Sequence, residues 1–582
     1  MRHLLVAMTL LLASQFCAAG NNPALHRLFA EEWERGLRES PESASSQGDA
    51  RFNERWSDMS MKAISASMAS DKAALARLHK IDRMALSETD RLNYDTFEWQ
   101  LKQAVTRQQF KEYLTPIGMA GGVQTLDGLA QVLPFKTEKD FRDWLARLAA
   151  LPVLVDQNIA LMEEGLKAGI TPPAVLMERV SKQIARQASS AADASAFYQP
   201  FISMPEAFSE QQKATLRKEA AQIIGAKVIP AYAKLGKFFD GAYLPKARQA
   251  IGASALPNGK AYYDFLAAYF TTTDLGADAI HAIGLSEVAR IRARMEVVMR
   301  ESGFKGSLPE FFIFLRSDPR FFHKSGPELL LAYQAMAKRI DPELVKVFSV
   351  LPRLPYGVRP IPDNIAPDTT TAYYQTGSND GKRPGFYYVN LYKPEVRPTW
   401  EMMALSLHEA VPGHHLQFAR SLELGELPMF RKTAYFVAYS EGWGLYAEQL
   451  GYDMGLYSDP YDKFGQLTYE MWRAVRLVVD TGMHAKGWSR QQAIDYFKAN
   501  APKTEQDIVN EIDRYIGWPG QALAYKVGQM KISELRKRAS ESLGERFDLR
   551  AFNDEVVGTG SIPLNALEAH IEQWIKRQAA RK

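Results

Sequence analysis

From residue 21 to about 111, apolar residues recur every three or four positions with charged residues between them, as in LARLHKIDRMALSETDRLNYDTFEWQLKQAV. That period puts the apolar side chains on one stripe of a helix, so the segment is predicted as helices, interrupted by the polar loop SPESASSQGDA at 40–50. A glycine-rich break, IGMAGGVQTLDG, follows at 117–128. Residues 137–300 read again as long amphipathic helices, punctuated by Pro172-Pro173 and by LPNGKAYY at 256–263. The pattern then changes. In residues 351–398, TTTAYYQ and GFYYVNLY have the β-branched and aromatic bias of strands, with SNDGKRPG as the turn between them. TWEMMALSLHEA returns to helix, with Thr399 as the expected N-cap after Pro398, and nearly everything beyond it is helical. The expected fold class is mainly α, one large helical domain over 20–582 with a small sheet beside the helix that begins at Thr399, and with its chemistry in about 351–530.

Composition narrows the function. Hydrophobic residues at 46% and charged residues at 24% suit a soluble globular protein, and a net charge of +4 with no basic run gives nucleic-acid binding no electrostatic support. MRHLLVAMTLLLASQFCAAG has a basic start, an apolar stretch and small residues before a cleavage point, so residues 1–19 are expected to be a signal peptide and the mature protein periplasmic. Ser14, Gln15 and Phe16 are a poor lipidation context for Cys17. No other apolar run is expected to span a membrane. Cys17 is the single cysteine, which excludes thiolate metal sites, disulfides and a cysteine nucleophile from the mature chain.

The chemistry concentrates in HEAVPGHH, residues 408–415, which holds three of the ten histidines. Catalytic zinc takes three protein ligands, often two His and one Glu, and a glutamate beside the first histidine serves as base toward water in the open position. His408 and Glu409 fit those two roles. The second ligand is the difficulty. Six residues along an ideal helix amount to about 600° of rotation and about 9 Å of rise, which turns His414 away from His408, and His415 lies about 10.5 Å along. Pro412 cannot donate to the carbonyl of His408 and Gly413 tolerates the resulting backbone, so a bulge absorbing two residues would bring His414 beneath His408, with His415 as the alternative second ligand. The competing reading ends the helix at Val411 and leaves two surface histidines.

VAYSEGWGLYAEQLG, residues 437–451, carries Glu441 and Glu448 on one helical face. Tyr439, Trp443 and Tyr446 surround Glu441 with apolar groups, where an unpaired charge is costly; this favours a metal ligand, with Glu448 as a partner behind it. Gly442 and Gly444 weaken a helix by about 1 kcal/mol each, so a close approach by a neighbour is expected there. For stabilising an oxyanion, Tyr515, Tyr525 and His484 are candidate donors. Arg476 has two readings: a salt bridge to Asp480, four residues on, or a bidentate grip on a substrate carboxylate. Tyr388 and Asn390 in GFYYVNLY, read as an edge strand, and His415 are candidates for contact with an extended peptide.

HEAVPGHHLQ, SEGWGLYAEQL, RAVRLVVDTGMHAKGW and GWPGQALAYKVG together resemble the bacterial family of unknown function DUF885, itself similar to the helical gluzincin zinc metallopeptidases. The resemblance covers essentially the mature chain and is most specific over 375–530. It implies a gluzincin-like fold, one Zn²⁺ per chain held by His408, His414 and Glu441, and Tyr525 as the favoured oxyanion donor. The zinc-helix spacing is two residues longer than the usual gluzincin form. The expected function is an exported peptidase acting on short peptides. A zinc-binding protein without turnover and a hydrolase of non-peptide amides or esters are the alternatives.

Overall fold

The computed structural model describes residues 21–581 apart from 120, 190, 364, 369, 379, 380 and 382. The expected signal segment at 1–19 lies outside them. Among the described residues the protein is mainly helical, with a three-stranded sheet: β1 (Tyr356–Pro360), β2 (Ala372–Gln375) and β3 (Gly385–Val389). β3 lies in the middle, parallel to β1 and antiparallel to β2, with Tyr373 opposite Tyr388. The expectation that GFYYVNLY is an edge strand is therefore corrected. Tyr387 and Val389 are fully buried, and β1 and β2 are the edges. β1 escaped the sequence reading because PYGVRP carries prolines at both ends and only one β-branched residue.

The helix entering the HE motif also differs at both ends. Thr399 opens a 3-10 turn, Thr399–Glu401, rather than capping the helix, and the α-helix proper is Met402–Glu409. A second helix restarts at His414 and runs to Leu422. Two long helices pack on this pair, a glutamate helix (Val437–Asp453) and a central helix (Pro460–Ala485), and a tyrosine helix (Ala524–Leu543) packs on both of those.

The central helix starts with Pro460 after Asp459, whose carboxylate accepts from the Tyr461 N–H at 2.8 Å, a combination that satisfies a free backbone donor and presets φ. It is buried over most of its length. Met471, Val475 and Val478 join the large core formed with residues 117–321, while Leu477 joins the C-terminal core. Its most extensive partner is the helix Ala277–Glu301. The two approach closely at Gly284, where a methyl group would lie 2.8 Å from both Leu477 and Val478.

The helix Glu138–Ala168 is long and apolar enough to cross a membrane by length and composition, a feature the sequence reading did not single out. Its apolar face, including Phe141, Trp144 and Leu148, is buried against the N-terminal core, and its Arg147 is buried with its guanidinium on the carbonyls of Phe52 and Arg55. Those contacts are what a core helix makes.

Asp480 on the central helix accepts from the Tyr263 hydroxyl at 2.6 Å and from the Gly520 N–H at 3.0 Å, tying three segments together. Burial outweighs these bonds and raises its carboxyl from 3.8 to about 7. The folded state therefore holds a proton that the unfolded chain releases, and stability falls as pH rises from about 4 to about 7. At about 1.4 kcal/mol per pKa unit the ceiling of that loss is several kcal/mol. Asp480→Asn is expected to gain stability relative to the parent progressively from pH 5 to pH 7.5, then level off, in thermal melts of both proteins across that range.

Candidate metal centre

The histidine helix stops at Glu409. Residues 410–413, with a cis peptide bond between Val411 and Pro412, connect it to the restart at His414. The expected bulge is thus a full break, and the two histidines after Pro-Gly are buried rather than superficial, His414 at 8% and His415 at 1% exposure. The connection is pinned on both sides. The Ala410 carbonyl accepts from the His415 N–H at 3.0 Å, and the Trp443 indole donates to the Pro412 carbonyl at 2.9 Å. Gly413 lies against the end of the first helix, and a methyl group there would stand 1.9 Å from the His408 carbonyl oxygen. Only glycine fits that approach.

This geometry brings His408, His414 and Glu441 together, with one donor atom from each within 4.8 Å of the others. Glu441 Oε2 is 3.6 Å from His408 Nε2 and 3.5 Å from His414 Nε2. Zinc bonds of about 2.0–2.1 Å in a tetrahedron put neighbouring donors about 3.3–3.4 Å apart, close to the two separations that Glu441 makes with the histidines. Behind the cluster, His408 Nδ1 donates to Glu448 Oε1 at 2.8 Å, which leaves Nε2 as the nitrogen facing Glu441, the one a cation would take in exchange for its proton. Burial opposes charge on both His408 and Glu441, yet the hydrogen bonds and charge of Glu441 and Glu448 push the His408 pKa up to about 9, and the hydrogen bonds and charge of His408 and His414 hold Glu441 well below the carboxylate range.

The two glycines of SEGWG serve separate neighbours. A methyl group on Gly442 would meet the Gly528 backbone of the tyrosine helix at 2.5 Å. One on Gly444 would meet the His408 ring at 2.7 Å, so it is a side chain, not a helix, that approaches there.

The cluster forms part of the wall of a cavity of about 1200 Å³. Glu409, Arg476 and Tyr525 also line it. Burial and the charge of Glu441 raise the Tyr525 phenol, against Arg476 and Arg514, so it stays protonated and available as a donor. The other sequence candidates lie outside the cavity lining. Tyr515 is fully buried, accepting from Arg476 Nε at 2.8 Å and donating to Glu511 at 2.5 Å. His484 uses both ring nitrogens on backbone, at Ala253 N and Tyr515 O, and burial lowers its pKa to about 4. His415 bridges the Tyr374 hydroxyl and the Leu354 carbonyl. Tyr388 stacks on Tyr373 at 5.0 Å, and buried Asn390 holds the carbonyls of Ala366 and Thr370. Arg476 does not pair with Asp480; its carboxylate partner is Glu511, at 3.0 Å.

The sequence reading missed three features of the site. Tyr435 donates to Glu441 Oε1 at 2.8 Å from just before the glutamate helix, a position with no periodic relation to the glutamate. Arg514 and Glu511 look like an ordinary i,i+3 surface pair, yet both face the cavity. The far wall comes from Met68, Trp99 and Arg107 of the N-terminal helices, well before the 351–530 segment expected to hold the chemistry.

Loss of Glu448 or intrusion on His408 is expected to weaken binding of a divalent cation without unfolding the protein. Glu448→Gln should lose about 10–100-fold in zinc affinity by chelator competition, the usual effect of removing the partner of a ligating histidine. Gly444→Ala should do likewise, whereas Gly425→Ala, with nothing within 4 Å of the added methyl, should match the parent.

Comparison with solved structures finds the same architecture elsewhere. A candidate lipoprotein from Colwellia psychrerythraea superposes with a TM-score of 0.89 at 29% identity, covering 95% of this chain and 99% of that one. A candidate lipoprotein of unknown function from Shewanella oneidensis has a TM-score of 0.75 at 17% identity, covering 94% and 98% respectively, and shares the fold. No curated protein matches the sequence. The profile of DUF885, a bacterial protein family of unknown function, matches residues 41–571, and the chain belongs to that family.

Proposed function

We propose that the protein is an exported zinc-dependent peptidase that hydrolyses short peptides in this cavity. The observation that carries the proposal is the convergence of His408 Nε2, His414 Nε2 and Glu441 Oε2 at a cavity wall with Glu409 next in the chain to the first of them. The likeness of HEAVPGHH and SEGWG to the gluzincin zinc helices belongs to the same proposal. Zinc held by these three residues would act as a Lewis acid toward the scissile carbonyl and lower the pKa of water.

The remaining steps fall to the protein. Glu409 takes a proton from the attacking water as its oxygen bonds to the carbonyl carbon, then delivers that proton to the amine as the C–N bond breaks. Tyr525, a protonated phenol in the cavity wall, donates to the carbonyl oxygen as negative charge grows on it. Tyr435 holds Glu441 through its second oxygen, and Glu448 keeps the His408 proton on Nδ1. A site that only stores zinc has no use for a base such as Glu409.

Export rests on the signal segment read at 1–19 and accords with the lipoprotein description of the Colwellia relative. Mass spectrometry of the protein purified from its host is expected to find Gly20 at the N-terminus; a diacylated Cys17 would instead make it membrane-anchored.

Elemental analysis of the purified protein should find about one zinc per chain, as expected for one set of three donors. Glu409→Gln should keep that zinc and lose about 10²–10⁴-fold in kcat on a peptide library read by mass spectrometry. Tyr525→Phe should lower kcat by about 10²–10³-fold with KM nearly unchanged. Full turnover in Glu409→Gln would sink the mechanism. Intact peptides alongside cleaved esters would assign the site to another acyl group.

A further inference from the structure

One wall of the cavity is built from arginines. Arg473 and Arg476 lie three apart on the central helix, and Arg514 comes from the helix Glu505–Gly517. Their carboxylate partners are fewer than they are. Glu511 alone accepts from Arg476 Nη2 at 3.0 Å, from Arg514 Nε and Nη2 at 3.0 Å each, and from the Tyr515 hydroxyl. Glu448, the nearest carboxylate to Arg473 at 3.5 Å, is already engaged by His408. Two guanidinium cations therefore share one carboxylate around Glu511.

Arg476 is 5% exposed, yet its Nη1 has no hydrogen-bond partner, and neither has Nε of equally buried Arg473. A buried cationic donor left unfilled is costly. The faces of Trp472 and Tyr525, 5.1 and 4.3 Å from the Arg476 guanidinium, offset part of that cost and fix the plane of the fork. They supply no acceptor. An anionic oxygen would supply one. Tyr525 joins it to the metal donors, its ring under Arg476 and its phenol in the field of Glu441. Arg473 reaches the same centre through Glu448 and His408.

We infer that Arg476, backed by Arg514, receives the free C-terminal carboxylate of the peptide, so that the protein trims peptides from their C-terminal end. Arginine suits this role because it stays charged, and with Nε on Tyr515 and Nη2 on Glu511 its Nη1 is left to donate to a carboxylate oxygen. The inference rests on the peptidase reading above but can fail separately from it.

The test uses full-length, zinc-loaded protein and peptides of one sequence ending either in the free acid or in the amide. The acid is expected to be shortened from its C-terminus, and the amide to be cut about 10–100-fold less efficiently, chiefly through KM, the scale of a lost hydrogen bond to a charged group. Arg476→Gln should erase the acid/amide ratio and Arg476→Lys should retain part of it. Arg514→Gln is the second variant if the first fails to fold, and the comparison on the parent protein needs no variant at all. Equal cleavage of acid and amide, or internal cuts in both, would overturn the carboxylate anchor while leaving the peptidase reading intact. Calorimetry with N-acetyl-trialanine acid and amide on zinc-loaded Glu409→Gln is the second readout. Tighter binding of the acid, lost when Arg476→Gln is added, supports the anchor even if no peptide is cleaved, in which case the peptidase reading falls alone. Equal or absent binding of both overturns the anchor.

Discussion

The orientation of one imidazole governs the rest of this site. His408 sits at the end of a short helix with Nδ1 on Glu448 and its ring lying flat against the place where Gly444 has no side chain. The hydrogen bond decides which nitrogen is free, and the glycine decides how near the glutamate helix can come. Because Glu441 and Glu448 are two turns apart on that helix, fixing His408 against Glu448 also sets Glu441 opposite its free nitrogen. The break at 410–413 then completes the group. It reverses the chain sharply enough for His414 to face the same carboxylate, held by the Trp443 indole on one side and by the contact of Gly413 with the first helix on the other.

Around this centre the protein buries an unusual amount of charge. Glu401 with Lys503 and Glu470 with Lys526 are drawn out of water on or beside the central helix, and Glu511 with two arginines is partly so. Such pairs contribute little net stability, because desolvation offsets most of the attraction. They hold position instead. The Glu511 network locks Tyr515 and holds Nε and Nη2 of Arg476, and that leaves Nη1 as the nitrogen of this arginine without a partner. The His–Glu cluster is thus supported from behind by Glu448 and Trp443, and Arg476 by Tyr515, none of which lines the cavity.

The sequence was informative where chemistry and spacing coincide. HEAVPGHH, the glutamates seven apart and the glycines of SEGWG pointed to His408, Glu409, His414, Glu441 and Glu448, because these residue types at those intervals have few other uses. It was uninformative where a residue's neighbours come from distant segments. Tyr515 and His484 looked available as donors, yet their bonding partners come from Trp472, Glu511 and Ala253. Tyr435, Arg514 and the N-terminal wall around Trp99 carried no local signal, since nothing in their own stretch of chain tells which face meets a cavity.

The sequence by itself determined the helical class, the presence of two strands ahead of the motif and the histidines and glutamates that could cluster, all of which follow from periodicity and side-chain chemistry within single stretches of chain. The tertiary structure decided the strand order, the conversion of a helix into a break at Pro412 and Gly413, and which of the buried polar groups are left facing the cavity. Those outcomes depend on desolvation and on contacts between segments hundreds of residues apart, such as Tyr263 with Asp480 and Arg431 with Asn93, which no local pattern encodes.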